Sequence, residues 1–140
     1  MINVRNTQEA INNIVIKNGT LIGDRYQHKC ASGTWSCTNN GWYRCENDSK
    51  PTHEQGHGIA FTGSINATVY KMTIKDMMGD GIYINDGANP NENGITIYNN
   101  DISNCRRNGI SLIGGMNIVI RRNTIHDING TGPEVGIDVE

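Results

Sequence analysis

One five-residue pattern recurs four times in this chain: any residue, then Gly-Ile, then a variable residue and a second apolar one. It reads His57-Gly58-Ile59-Ala60-Phe61, Asp80-Gly81-Ile82-Tyr83-Ile84, Asn108-Gly109-Ile110-Ser111-Leu112 and Val135-Gly136-Ile137-Asp138-Val139. The glycines stand at 58, 81, 109 and 136, so the intervals are 23, 28 and 27 residues. A period in the twenties is that of a solenoid, where each repeat buries its apolar face only against its neighbours.

A second repeat runs beside the first. It reads Ile16-Lys17-Asn18-Gly19-Thr20-Leu21, Val69-Tyr70-Lys71-Met72-Thr73-Ile74, Ile97-Tyr98-Asn99-Asn100-Asp101-Ile102 and Ile120-Arg121-Arg122-Asn123-Thr124-Ile125. A polar turn residue follows two positions on in three copies, at Asp76, Asn104 and Asp127. Composition agrees with strands: the 140 residues include 20 Ile but 2 Leu, and 20 Asn and 17 Gly supply the turns. Three short strands per repeat predict an all-β parallel β-helix of about four to five turns. Ile59, Ile82, Ile110 and Ile137 form one internal column, and Phe61, Ile84, Leu112 and Val139 the next. Asn100 and Asn123 align at a turn as a stacked amide ladder. The leucine positions of a leucine-rich repeat are absent.

Residues 1–140 read as one domain. Thr7-Gln8-Glu9-Ala10 is expected to start a short N-terminal capping helix, with Thr7 as N-cap. Residues 25–55 break the repeat and are expected to be an irregular loop insertion. The insertion holds both Trp and three of the four Cys (Cys30, Cys37 and Cys45), whose spacing is not a zinc pattern and whose disulfide pairing is open. It reads either as a surface loop or as a lid with aromatic platforms for sugar rings. Cys105 reads as a buried thiol. The chain stops inside its last Gly-Ile copy, from which we expect a fragment of a longer protein, or an end covered by a partner chain. A net charge of -2 gives no basic excess, so neither nucleic acid nor a membrane surface is expected as a partner.

Strand alternation assigns the chemistry. With the Ile columns inside, Ala60, Tyr83, Ser111 and Asp138 point outward. His57, Asp80, Asn108 and Val135 form a column just before the glycines, with Arg107 one step earlier and Glu140 one outward step past Asp138. This face gathers His57, Asp80, Tyr83, Arg107, Asp138 and Glu140. The other repeat shows Lys17, Tyr70, Lys71, Arg121 and Arg122, read as a solvated mixture, and His126 is read as structural. Asp80 and Asp138 lie two rungs apart, on the order of 10 Å at the usual strand spacing. That is compatible with the acid/base pair of an inverting glycosidase, at about 6.5–9.5 Å. Lyase chemistry needs a base for the C5 proton and a cation near the sugar carboxylate, which Tyr83, His57 and Arg107 would supply. No cofactor or metal is demanded, although Ca²⁺ would find hard oxygen ligands among stacked carboxylates.

The run Gly19-Thr20-Leu21-Ile22-Gly23-Asp24-Arg25-Tyr26-Gln27-His28 resembles the Gly-Asp-Arg…His stretch of pectate-lyase-like right-handed parallel β-helix proteins found in phage and prophage tails. Gly79–Ile84, Arg106–Ser111 and the segment from Asn129 to Glu140 resemble three further motifs of that group. The family's Trp before the glycine of its Glu-x-Gly stretch is replaced here by Gln55, in Glu54-Gln55-Gly56. The resemblance implies a right-handed β-helix that binds and often cleaves cell-surface polysaccharide, commonly as a homotrimer, outside the cell or on a virion. By motif match it marks Asp24, Arg25, His28, Asp80, Arg106, Arg107, Asp138 and Glu140. The expected function is a hydrolase or lyase acting on an extracellular glycan. Its catalytic candidates are Asp80, Asp138 and Glu140, and its substrate-binding candidates are Asp24, Arg25, His28, His57, Tyr83, Arg106 and Arg107. The alternative is a non-catalytic glycan-binding or structural segment of a tail fibre.

Overall fold

The computed structural model describes residues 1–5, 11–26, 35–37, 43–45, 56–63, 65–85, 94–130 and 132–140. In chain order the strands are β1 (Ile2–Arg5), β2 (Ile11–Ile22), β3 (Trp35–Cys37), β4 (Tyr43–Cys45), β5 (Ile59–Thr62), β6 (Ile65–Lys75), β7 (Ile82–Asn85), β8 (Gly94–Tyr98), β9 (Asp101–Ser103), β10 (Ile110–Leu112), β11 (Val119–Arg121), β12 (Thr124–His126) and β13 (Ile137–Val139). Every pairing between repeats is parallel. One sheet has the order β1-β5-β7-β10-β13. In the other, β6 pairs β8 through its first half and β9 through its second, with β2 on its other side. β11 and β12 extend the β8 and β9 halves. The sequence repeats are therefore the rungs of these sheets.

The register matches the periodicity residue for residue. Ile2, Ile59, Ile82, Ile110 and Ile137 stack, as do Val4, Phe61, Ile84, Leu112 and Val139. So do Ile16, Val69, Ile97 and Ile120, and Leu21, Ile74, Ile102 and Ile125. In the middle rungs Ile59, Phe61, Val69, Ile74, Ile82, Ile84, Ile95, Ile97, Ile102 and Ile110 are each no more than 1% exposed. A fully buried side chain of this size stabilises by about 1.5–3 kcal/mol. On the edge strand β13, by contrast, Ile137 and Val139 are 45% and 73% exposed.

The asparagine ladder forms as expected. Asn100 Oδ1 accepts from Met72 N–H and Asn123 Oδ1 from Asn100 N–H, each at 3.0 Å. Asn100 Nδ2 donates to Val69 O at 3.1 Å, and Asn123 Nδ2 to Ile97 O at 2.9 Å. The side-chain amides thus satisfy backbone groups at a corner where the ladder turns away.

Two readings change. The first residues are not only a cap: β1 is a rung of the Gly-Ile sheet, placed there by the alternation Ile2-Asn3-Val4-Arg5 without a Gly-Ile signature. The insertion is not wholly irregular either, since β3 and β4 pair antiparallel. The helix expected from Thr7 to Ala10 lies outside the described residues, as do Cys30 and the side chains of Cys37 and Cys45.

Three of the four repeated glycines are required by space rather than by conformation, since none of the four has a left-handed φ. A Cβ at Gly58 would lie 2.6 Å from Gly81 O, one at Gly81 2.7 Å from Gly109 O, and one at Gly109 2.5 Å from Gly136 O. Each would also collide with the Cγ2 of an isoleucine across the core: Ile74, Ile102 and Ile125 in turn. At Gly136 the nearest atom is Ile125 Cγ2, at an ordinary 3.7 Å.

Gly109→Ala is therefore expected to destabilise by about 1–3 kcal/mol, the usual cost of overpacking, and Gly136→Ala to be close to neutral in the same denaturant titration. Cys105 is fully buried, and burial pushes its thiol up to about 12. Peptide mapping after treatment with a thiol reagent should find it unlabelled in the native chain and labelled once the chain is unfolded.

Candidate functional site

Strand alternation places the outward column in register as Asn3, Ala60, Tyr83, Ser111 and Asp138. The residues before the glycines form the neighbouring column. Gly58 N–H donates to Asp80 O (2.9 Å), Gly81 N–H to Asn108 O and Gly109 N–H to Val135 O (both 3.0 Å). His57, Asp80, Asn108 and Val135 therefore occupy successive rungs of one corner.

The corner does not obey the alternation of the strand that follows it. Asp80, expected to point outward, is 0% exposed. Its Oδ1 accepts from Asn108 N–H at 3.1 Å. Its Oδ2 makes no hydrogen bond and lies 3.3 Å from His57 Nδ1 and 3.6 Å from Arg107 Nη1. His57 is 8% exposed, and its ring stacks on Tyr83 with centroids 4.4 Å apart and planes 9° from parallel. Its Nδ1 accepts from the Asp80 backbone N–H at 3.2 Å. The Tyr83 hydroxyl accepts from Asn85 Nδ2 at 3.1 Å, and its own proton has no acceptor among the described residues.

These side chains line a cleft of about 270 Å³, walled by Met1, Asn3, His57, Ala60, Thr62, Tyr83 and Arg107. Met1 and Asn3 escape notice in the sequence, because β1 lacks the Gly-Ile mark. The alternation around Asn3 was the available signal.

The expected Asp80/Asp138 pair does not face across open space. Asp138 Oδ2 accepts from Asn108 Nδ2 at 3.1 Å, and the same amide donates to Ser111 Oγ at 3.0 Å. Asn108 and Ser111 are both 0% exposed, so each carboxylate is tied to a buried asparagine between them. Glu140 lies 3.5 Å from Arg107 Nη2, which holds the guanidinium between Glu140 and Asp80.

Arg25 and Arg106, expected to bind substrate, are each 1% exposed. Arg25 Nη1 donates to Asn104 O and Oδ1, each at 2.9 Å, and Nη2 to Asn129 Oδ1 at 2.6 Å. Its Nη donors are committed to the corners of two other repeats. Asp24 is exposed and does not line the cleft. His28 lies outside the described residues. Among the described residues no group of three or more metal-binding side chains comes together.

A family description, right-handed β-helix region, matches residues 57–138, more than half of the chain. The chain belongs to the right-handed β-helix family. The β-helix match begins at His57 and ends at Asp138, so it contains the His57, Tyr83 and Arg107 side of the cleft. Two relatives come from Bacillus subtilis (strain 168). The SPβ prophage-derived uncharacterized protein YorA is 36% identical over 72 residues, covering 51% of this chain and 10% of that protein. The uncharacterized protein YclG is 32% identical over 137 residues, covering 91% of this chain and 21% of that protein. The chain thus spans a small part of each relative's length. No solved structure matches it at a significant level.

Away from the cleft, His126 lies between two carboxylates, with Nδ1 2.8 Å from Asp127 Oδ2 and Nε2 3.1 Å from Asp101 Oδ1. The hydrogen bond to Asp127, then that to Asp101, raises its pKa above the ordinary 6.5. A raised native value means stabilisation that is complete below the unfolded pKa and lost as pH rises through the native one. Melting curves of the native chain and His126→Gln should therefore differ most on the acid side of neutrality and converge at alkaline pH.

Proposed function

We propose that this chain is the glycan-cleaving part of a polysaccharide-active β-helix protein, and that its cleft acts as a lyase on a uronate-containing polymer. The observation that carries the reading is the set of side chains sharing the cleft. A histidine, a phenol and a guanidinium line it, while Asp80 lies buried beneath and Asp138 is bound to Asn108. Hydrolysis by a carboxyl pair needs two acids at the substrate, which this wall does not present among the described residues. Elimination needs a base, a proton donor and a cation.

The hydrogen-bonding of His57 fits the role of a donor to the sugar carboxylate. Its Nδ1 accepts from the Asp80 backbone N–H, which leaves the proton of the neutral ring on Nε2. Tyr83 fixes the plane of the ring by stacking. In the proposed step, the Tyr83 oxygen takes the C5 proton as its own hydroxyl proton passes to the leaving oxygen. The electron pair of the C–H bond forms the C4–C5 double bond, and the C4–O bond breaks. His57 Nε2–H and Arg107 would neutralise the sugar carboxylate, whose charge rises as C5 loses its proton.

The prophage origin of one relative supports a phage-encoded protein that acts on a cell-surface glycan from the virion or after secretion. A homotrimer belongs to the same reading.

The test is a panel of uronate polysaccharides, followed by absorbance at the unsaturated-uronate band and by reducing ends. The expected result is an absorbance rise with at least one polymer, reduced about 10²–10⁴-fold by His57→Ala and similarly by Tyr83→Phe. Reducing ends without absorbance would select a hydrolase instead. Binding without either product would make the chain a glycan-binding module.

A further inference from the structure

The outward face of β2, β6, β8 and β11 lies on a different sheet from the cleft and holds the residues that read as a solvated mixture. The register places Lys17, Tyr70, Tyr98 and Arg121 in one column. The two tyrosine rings stack at 5.0 Å and 7°. Lys17 Nζ lies 5.9 Å from the Tyr70 centroid and Arg121 Cζ 4.7 Å from that of Tyr98. The next residue of each rung forms a corner column of Asn18, Lys71, Asn99 and Arg122. Lys71 N–H donates to Asn99 O at 3.1 Å, and Asn99 N–H to Arg121 O at 3.4 Å.

All four corner residues have left-handed backbones, with φ of 56°, 53°, 54° and 55° in rung order. Asparagine tolerates that conformation, whereas lysine and arginine are strained in it. Two rungs carry the residue that suits the corner, and two carry a strained cation instead. Lys17, Lys71, Arg121 and Arg122 are all exposed, and none takes part in the ion pairs at His57, Arg107 or His126. A strained conformation retained at an exposed charge with no ion-pair partner among the described residues points to binding rather than stability. The chain is net negative, so this concentration of cations is local.

We infer that this corner is a second binding face, taking an acidic linear polysaccharide laid along the solenoid axis. The cations recur along that axis at multiples of the strand spacing, about 4.8 Å, which suits a polymer with regularly repeated charge. Single-stranded nucleic acid fits less well, because it is held by bases stacking on open aromatic faces. Here the faces of Tyr70 and Tyr98 are taken up by each other and by the two cations. The inference does not depend on what the cleft does.

The decisive variant is Lys71→Asn with Arg122→Asn, which installs the residue already present in the alternate rungs. Dextran sulfate and neutral dextran of equal length serve as probes, titrated into the full chain at two salt concentrations. The native chain should bind dextran sulfate alone, more weakly at the higher salt. The double variant should bind it about tenfold more weakly or less, while melting at the same temperature or higher. Adding Lys17→Gln should lower the affinity again, which checks the neighbouring column independently. Four results would overturn the inference: unchanged affinity in both variants, equal binding of neutral dextran, tighter binding of single-stranded DNA, or a smaller oligomeric mass on substitution. The last would mean that a second copy of the chain covers this face.

Discussion

The closeness of successive rungs at one corner governs this molecule. Where Gly58, Gly81 and Gly109 pass, the carbonyl oxygen of the next rung occupies the space a Cβ would need. The same approach lets each of these glycines donate its N–H along the stack. It also draws the preceding residue beneath its neighbour. Asp80 is buried because Gly81 allows that packing, and a buried Asp80 is what stands behind His57. The glycine that marks the repeat and the carboxylate that prepares the cleft thus come from one steric fact.

Burial then sets the electrostatics. A carboxylate removed from water keeps its charge only with compensation nearby. Asp80 has a backbone N–H on one oxygen, and His57 and Arg107 near the other. The cleft residues are therefore oriented by a charge that the substrate would never touch. Asn108 acts as the spacer. Its backbone serves Asp80 and its side chain serves Asp138 and Ser111, all from a fully buried position.

Much of this was legible in the sequence, and for physical reasons. Side-chain periods of two within strands and in the twenties between rungs are fixed by geometry, so the isoleucine columns and the asparagine ladder could be aligned residue by residue. β1 was missed because it carries no glycine mark, and four alternating residues are a weak signal by themselves. The burial of Asp80 was not legible because it precedes its strand, where the chain bends and alternation no longer decides direction. Arg25 and Arg106 read as surface groups because long cations are rarely fully buried. Nothing in their local sequence reveals that the carbonyl oxygens of Asn104 and Asn129 lie within reach of Arg25.

Arg25 has one further consequence. In most solenoids each unit touches only the next, so stability is close to a sum over neighbours and units are gained or lost freely. The Arg25 side chain instead fastens its own corner to Asn104 and Asn129, which belong to two later copies. Those corners are joined by a tie that skips the simple neighbour rule. Inserting or deleting one copy between them would leave the guanidinium facing the wrong partners. In this segment the number of repeats is held by a side chain, and the array cannot be lengthened or shortened there one unit at a time.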